Sequence, residues 1–313
     1  MSISSSRPEY PTENLTVRSK ILKIPNLKLI EKVGEGGMST VWKAWDTIKQ
    51  RIVAVKILNN EFAESGGDVQ AFRNEERMME EINHPGIVQA YDFDNGNGHW
   101  YYIMEFVDGY TFADFLKRKQ HVSEGDCLLI CESVASALDY AWNNHGVVHC
   151  DIKPENIMIN TDGEVKLMDL GISHRFRAAD PATLAASDHI LGTPAYISPE
   201  QVYGDVEPDC RADIYSLAAT IFHLATGRVL FTGLDNEGMM RAHCYPENQA
   251  RDPRTYRPEL SEGFCQLLEA MLVKDRDYRL SSWSTVFQMA QDVERGVKFK
   301  PRNSGSPSSL KLL

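Results

Sequence analysis

Basic side chains are outnumbered in this chain. The 33 Lys and Arg against 44 Asp and Glu leave a net charge of −11, which argues against a general nucleic-acid binder. Apolar runs of membrane length are also missing: Ile214 to Leu224 and Cys127 to Leu138 carry polar residues and fall short of a span. The first residues lack the charged start and apolar core of a secretory signal. The 6 cysteines form no CxxC pair and no metal spacing with histidine. Cys127 and Cys131, one helical turn apart, are expected to pack as small apolar residues. These absences favour a protein of the cytoplasm with no nucleic-acid partner and no membrane span.

The 313 residues suffice for one large domain or for two lobes. Residues 1–22 are rich in Ser, Pro, Thr and Glu without periodicity and are expected to be flexible, as is the tail 297–313. Between them the pattern changes once. Leu27–Val33, Thr40–Trp45 and the β-branched Ile52–Leu58 alternate as three strands joined by short turns, which predicts an antiparallel sheet. Asp68–Ile82 has the period of a helix, with Val69, Phe72, Met78, Met79 and Ile82 on one face. Ile87–Tyr91 and Trp100–Met104 are expected as two more strands around the turn Asn95-Gly96-Asn97-Gly98. After Gly109 the chain turns helical: Phe112–Lys119, a helix opened by Ser123 with Asp126 as its acidic capping partner, then Ile214–Ala225, Gly238–Cys244, Gly263–Leu272 and Thr285–Arg295. An α+β chain of two lobes is the expectation.

One stretch concentrates chemistry. His149-Cys150-Asp151-Ile152-Lys153-Pro154-Glu155-Asn156 sets a carboxylate, an ammonium and a carboxamide along a loop, followed by the strand Ile157–Ile159. An acid beside an amide suits a site that accepts a proton from a hydroxyl while holding a hard cation. A polar loop between a helix and a strand is common, however, and needs partners to mean more. They exist. Gly34-x-Gly36-x-x-Ser39-x-Val41 is a turn whose backbone can approach phosphate oxygens closely. Val53-Ala54-Val55-Lys56 ends a core strand on a lysine, and the helix after it carries Glu75. Asp169-Leu170-Gly171 follows the strand Val165–Met168, and a long polar segment, the kind of irregular stretch that is usually functional, runs to Glu200.

In this order and spacing the motifs resemble those of the eukaryotic-type protein kinases, over about Leu27 to Arg295. The wording of Gly34 to Val41 and Gly192 to Gln201 is similar to that of bacterial members. The resemblance implies a kinase domain over 23–296, with a small β-sheet lobe carrying one helix (23–107) and a larger, mainly helical lobe (108–296). It implies ATP with magnesium, or manganese in its place. Nucleotide contacts would come from Val33, Gly34, Glu35, Gly36, Gly37, Val41, Ala54, Lys56, Met104, Glu105, Val107, Met158 and Asp169. Backbone groups of Glu105 and Val107 would meet adenine, Met104 would limit the pocket's depth, and Lys56 would pair with the phosphates and with Glu75. Glu76, about 100° round the helix, is expected in solvent. Asp151 would be the base, and Asn156 and Asp169 the metal ligands. Lys153 marks serine/threonine specificity, and Thr193 would bond to Asp151 and Lys153. Glu200 would pair with Arg279, and Asp213 would brace the loop from below.

Cys150 departs from the pattern. It stands where most regulated kinases carry the arginine that holds a phosphate on the activation segment, and a thiol is only a weak donor. Activity is therefore expected to depend little on phosphorylation there; Thr183 and Ser187 are the candidate sites, also for self-phosphorylation. Two other readings stay open. A pseudokinase scaffold would have lost Lys56, Asp151 or Asp169, all of which are present. A small-molecule phosphotransferase would have little use for Lys153 and the Gly192–Glu200 segment.

Overall fold

Alternation on one strand decides which way the key lysine points. The computed structural model describes residues 23–64, 66–170, 192–204 and 206–297. In β3 (Arg51–Leu58) successive side chains must face opposite sides of the sheet. Val53, Val55 and Ile57 join Ile24, Leu27, Ala44 and Tyr101 in a small outer cluster, whereas Ala54 and Leu58 belong to the main core. Lys56, between them, shares the inner face. β1 (Leu27–Glu35) and β2 (Ser39–Asp46) precede β3, and β4 (Ala90–Gly96) and β5 (His99–Glu105) complete an antiparallel sheet of order β1-β2-β3-β5-β4.

Two expectations fail here. The fourth strand was expected over Ile87–Tyr91 but runs from Ala90 to Gly96. Ile87 and Val88 instead turn to the other lobe: Ile87 bridges Leu167 in parallel, and the Val88 N–H donates to the Leu167 carbonyl at 3.0 Å. The apolar run looked like a strand because it is buried by a different partner. Helix α2 (Gly66–Glu81), preceded by the short α1 (Asn60–Ala63), carries the second failure. Glu76 is not in solvent but only 4 % exposed. The turn from Glu75 directs it toward Asp92 on β4, and burial, with Glu80 and Asp92 adding, raises its carboxyl pKa.

Beyond β5 the chain enters a second, three-stranded sheet of order β6-β7-β8, with β6 (Gly109–Thr111), β7 (Ile157–Asn160) and β8 (Val165–Leu167). Gly109 is required there, since a Cβ would lie 2.0 Å from the Ile159 carbonyl oxygen. α3 (Phe112–Lys119) lies where expected. α4 (Glu124–His145) opens on Ser123, whose Oγ accepts from Asp126 N at 3.2 Å and donates to the Asp126 carboxylate at 2.6 Å. It buries both Cys127 and Cys131.

α5 (Pro199–Tyr203), which periodicity did not reveal, leads to α6 (Cys210–Thr226). All but Arg211 and His223 of the 17 residues of α6 are buried, so it forms the axis of this lobe. α7 (Asn236–Cys244), α8 (Glu262–Met271) and α9 (Trp283–Glu294) complete the nine α-helices of the described residues. None is long and apolar enough to cross a membrane. The main core runs without a break from Ala54 and Met104 to Trp283 and Val293, so the two lobes share it, and the small lobe has only the outer cluster to itself.

His243 on α7 gives this lobe a pH dependence. It is fully buried, its Nδ1 lies 2.8 Å from the Tyr215 hydroxyl, and its ring meets Phe231 edge-on at 4.9 Å. Burial, with Lys274 nearby, pushes its pKa down to about 4 from 6.5. The unfolded chain takes up this proton near pH 6.5 and the folded chain only near 4. The stabilising contribution is therefore present above pH 6.5 and lost as pH falls through that window. In urea unfolding at pH 7, 6 and 5, wild type is expected to lose stability relative to His243→Gln. Parallel profiles would refute the assignment.

Candidate active site

Lys56 Nζ sits between two carboxylates, 2.8 Å from Glu75 Oε1 and 2.9 Å from Asp169 Oδ1. Burial alone would lower the pKa of the ammonium, but Asp169 and Glu75 more than reverse this and hold it well above its ordinary value. The same lysine holds the Asp169 carboxyl down against the opposing effect of burial. Tyr102, directly across the sheet from Lys56, donates its hydroxyl to Glu75 Oε1 at 3.0 Å. This third member was missed in the sequence, though cross-strand register with Lys56 marks it.

Asp169 follows β8 in the left-handed region, at φ 55°, a conformation that costs a non-glycine residue on the order of 1 kcal/mol. Its neighbour is tied on both sides: the Met168 N–H donates to the Asn156 carbonyl at 2.9 Å, and His149 Nε2 lies 2.9 Å from the Met168 carbonyl. The loop itself hangs on α6. Asp213, 1 % exposed, accepts from the backbone N–H groups of His149 at 2.6 Å and Cys150 at 2.7 Å. Burial raises its carboxyl pKa to about 6, although His149 and these two bonds oppose the shift. Cys150 takes φ 64°, and its carbonyl receives Gln201 Nε2 at 2.7 Å. Gln201 and Thr220, which donates to the Ile152 carbonyl at 3.1 Å, are further supports that the sequence did not advertise.

Asp151 collects donors. Lys153 Nζ lies 2.5 Å from Oδ2, while the Thr193 hydroxyl and N–H reach Oδ1 at 3.0 and 3.2 Å. Lys153 also donates to the Thr193 hydroxyl at 2.9 Å, so the expected triangle is present. Asn156 Nδ2 donates to the Asp151 carbonyl at 2.9 Å, and its Oδ1 is not engaged by that bond. Lys56, Glu75, Asp151, Lys153, Asn156 and Asp169 line one cavity of about 200 Å³. Val33, Gly34, Glu35, Gly36, Gly37, Val41, Ala54, Met104, Glu105, Val107, Met158 and Thr193 are outside its lining, to which the β1–β2 turn contributes Met38 and Ser39. Among the described residues, no cluster of three or more His, Cys, Asp or Glu could hold a metal ion. An Asn–Asp oxygen pair nevertheless suits magnesium, which binds through one or two carboxylates and completes its shell with water and phosphate. Thr183, Ser187 and Gly171 lie outside the described residues.

The glycines of the β1–β2 turn do not serve the protein's own packing. A Cβ at Gly37 would meet nothing within 4 Å, and one at Gly36 only the Ser39 carbonyl at 3.6 Å. Without side chains, this backbone can be approached closely.

The profile of the protein kinase domain matches residues 27–292. Among curated proteins, the chain is 30 % identical over 271 residues to serine/threonine-protein kinase PrkC of Bacillus subtilis, covering 87 % of this chain and 40 % of that protein. It is 35 % identical to the probable serine/threonine-protein kinase PknB of Bifidobacterium longum, covering 82 % and 38 %. It thus spans about two fifths of these relatives. A double mutant of the Mycobacterium tuberculosis PknI kinase domain superposes with a TM-score of 0.68 at 24 % identity, over 88 % of this chain and 98 % of that one, a likeness of fold. The chain belongs to the protein kinase family, alongside bacterial serine/threonine-protein kinases.

Proposed function

We propose that this chain transfers the γ-phosphoryl group of ATP to a serine or threonine hydroxyl of a protein. The observation that carries the reading is that one cavity is lined both by Asp151, held by Lys153 and Thr193, and by Lys56 in its pairs with Glu75 and Asp169. Asp151 accepts the hydroxyl proton, and the freed oxygen bonds to the γ-phosphorus as the bond to the ADP oxygen breaks. Lys153 steadies charge on the acceptor side. Lys56 holds the α- and β-phosphates, and the Gly34–Val41 backbone covers them. Asn156 and Asp169 would hold magnesium, which when bound screens phosphate charge.

Glu105 is suited to meet adenine through its carbonyl, because its N–H is already given to the Gln89 carbonyl at 2.8 Å; Val107 supplies the other backbone group. We place the lobe boundary at 107/108 and the domain's work in the cytoplasm. Cys150, 2 % exposed, carries no charge for a phosphate, so the activation segment needs little phosphorylation. The intact Lys56 pairs weigh against a scaffold without activity, and the Thr193–Lys153–Asp151 triangle against a small-molecule acceptor.

The test is transfer from radiolabelled ATP to a generic basic protein. Wild type is expected to label the acceptor and Asp169→Asn to leave it at background; equal label in both would reject the proposal. Label on the chain itself would locate self-transfer, for which Thr183 and Ser187 are the candidates.

A further inference from the structure

Outside the cavity, one polar node joins three parts of the site. Glu105, the last residue of β5, is held on two sides. Its Oε1 lies 2.6 Å from Lys166 Nζ on β8, with the two side chains 25 % and 11 % exposed. Its backbone N–H goes to Gln89, whose own N–H approaches Glu105 Oε2 at 3.4 Å. The Gln89 side-chain amide then donates to the carbonyls of Met79 at 3.2 Å, Glu80 at 3.3 Å and Ala90 at 3.0 Å. Met79 and Glu80 belong to the last turn of α2, where backbone carbonyls have no donor within the helix. The strand of Lys166 is stitched to the same linker, since Leu167 N–H donates to the Gly86 carbonyl at 2.8 Å and receives Val88 N–H on its own carbonyl at 3.0 Å. Asp169 comes two residues later.

We propose that Gln89, Glu105 and Lys166 are positioning residues that lock the adenine-facing end of β5, the strand delivering Asp169 and the helix carrying Glu75 to one another. The assignment of adenine to this end rests on the function proposed above. The node has the two properties that positioning needs. It is largely shielded from water, so its ion pair is screened less than a surface pair. It also ends on a helix terminus, so a shift at Glu105 is passed to α2 and from there to the Glu75–Lys56 pair. Nucleotide bound at the Glu105 backbone therefore favours the placement of Glu75, and by linkage the placed helix favours nucleotide. Lys166 never touches phosphate in this arrangement; it acts through Glu105.

The experiment uses the full chain, with fluorescent ADP binding measured beside KM for ATP and kcat. Lys166→Met is expected to weaken ADP binding and raise KM for ATP about tenfold, because it strands the Glu105 carboxylate. Lys166→Arg and the double variant Lys166→Met with Glu105→Gln are expected to recover most of that loss, since neither leaves an unpaired charge. Gln89→Leu is expected to lower kcat about tenfold with a smaller effect on KM, since it releases α2 rather than adenine. Unchanged ADP affinity in folded Lys166→Met, a double variant no better than the single one, or an unchanged kcat in Gln89→Leu each overturns the proposal. The arms are separable. A wild type that binds ADP but transfers no phosphate rejects the proposed function and leaves ADP affinity to decide the node; a wild type that binds no ADP overturns both.

Discussion

Asp151→Asn is expected to lower kcat by about 10³-fold while leaving ADP affinity nearly unchanged, because a positioned base contributes about 10²–10⁴ to such a step. The environment of this carboxylate explains both halves. It is 6 % exposed and receives Lys153, Thr193 twice and, at 3.4 Å, Asn156. Every neighbour is a donor, so asparagine must turn its NH₂ toward either Lys153 or Thr193 and lose an acceptor as well as the base. The proposed nucleotide contacts lie elsewhere, on Lys56, the β1–β2 turn and the end of β5, so binding should survive. Rapid-quench turnover and fluorescent ADP titration check the two halves separately. A kcat within threefold of wild type would remove Asp151 from the chemistry; a matching loss of ADP affinity would make it a binding residue instead.

How far the site was legible depended on how local its determinants were. Alternation and helical period made the strand of Lys56 and the helix of Glu75 readable. The choice of these two residues, and of Glu75 over Glu76 and Glu80, came from the resemblance and its spacing to His84-Pro85. Asp213, Glu200 and Arg279 were assigned through resemblance, and the structure joins each to the expected partner. What failed or was missed lies where two distant segments meet. Ile87–Val88 has the composition of a strand, yet its partner is Leu167, some 80 residues away in sequence. Glu76 looks solvated from its own helix, yet it is 4 % exposed and within the influence of Asp92 on β4. Gln89 and Lys166 carry no motif; their bonds appear only once the linker after α2 lies against β8. Periodicity reports a residue's own element, not what will be packed on it.

The buried pair of Glu200 with Arg279 is where the largest loss of stability is expected. Arg279 Nη1 and Nη2 grip the carboxylate at 2.6 and 3.0 Å, and the arginine side chain is 0 % exposed and the glutamate 5 %. The remaining guanidinium hydrogens reach the carbonyls of Val273, Arg211 and Lys274 at 2.7, 2.6 and 3.0 Å, joining the segment after α8 to α6 and α5. Glu200→Ala keeps those three bonds but leaves the cation without a counter-charge, and guanidinium does not deprotonate to relieve the cost. Breaking one side of a buried pair costs about 3–5 kcal/mol, which for a domain of this size lowers Tm by about 10 °C. Glu200→Gln keeps an acceptor oxygen and should fall between. Because α5 also presents Gln201 to the Cys150 carbonyl, activity should decline in the same order as Tm. Differential scanning fluorimetry of the two variants measures this, and a Glu200→Ala protein melting within 2 °C of wild type would show that the pair contributes little net stability and that the three carbonyls suffice to hold Arg279.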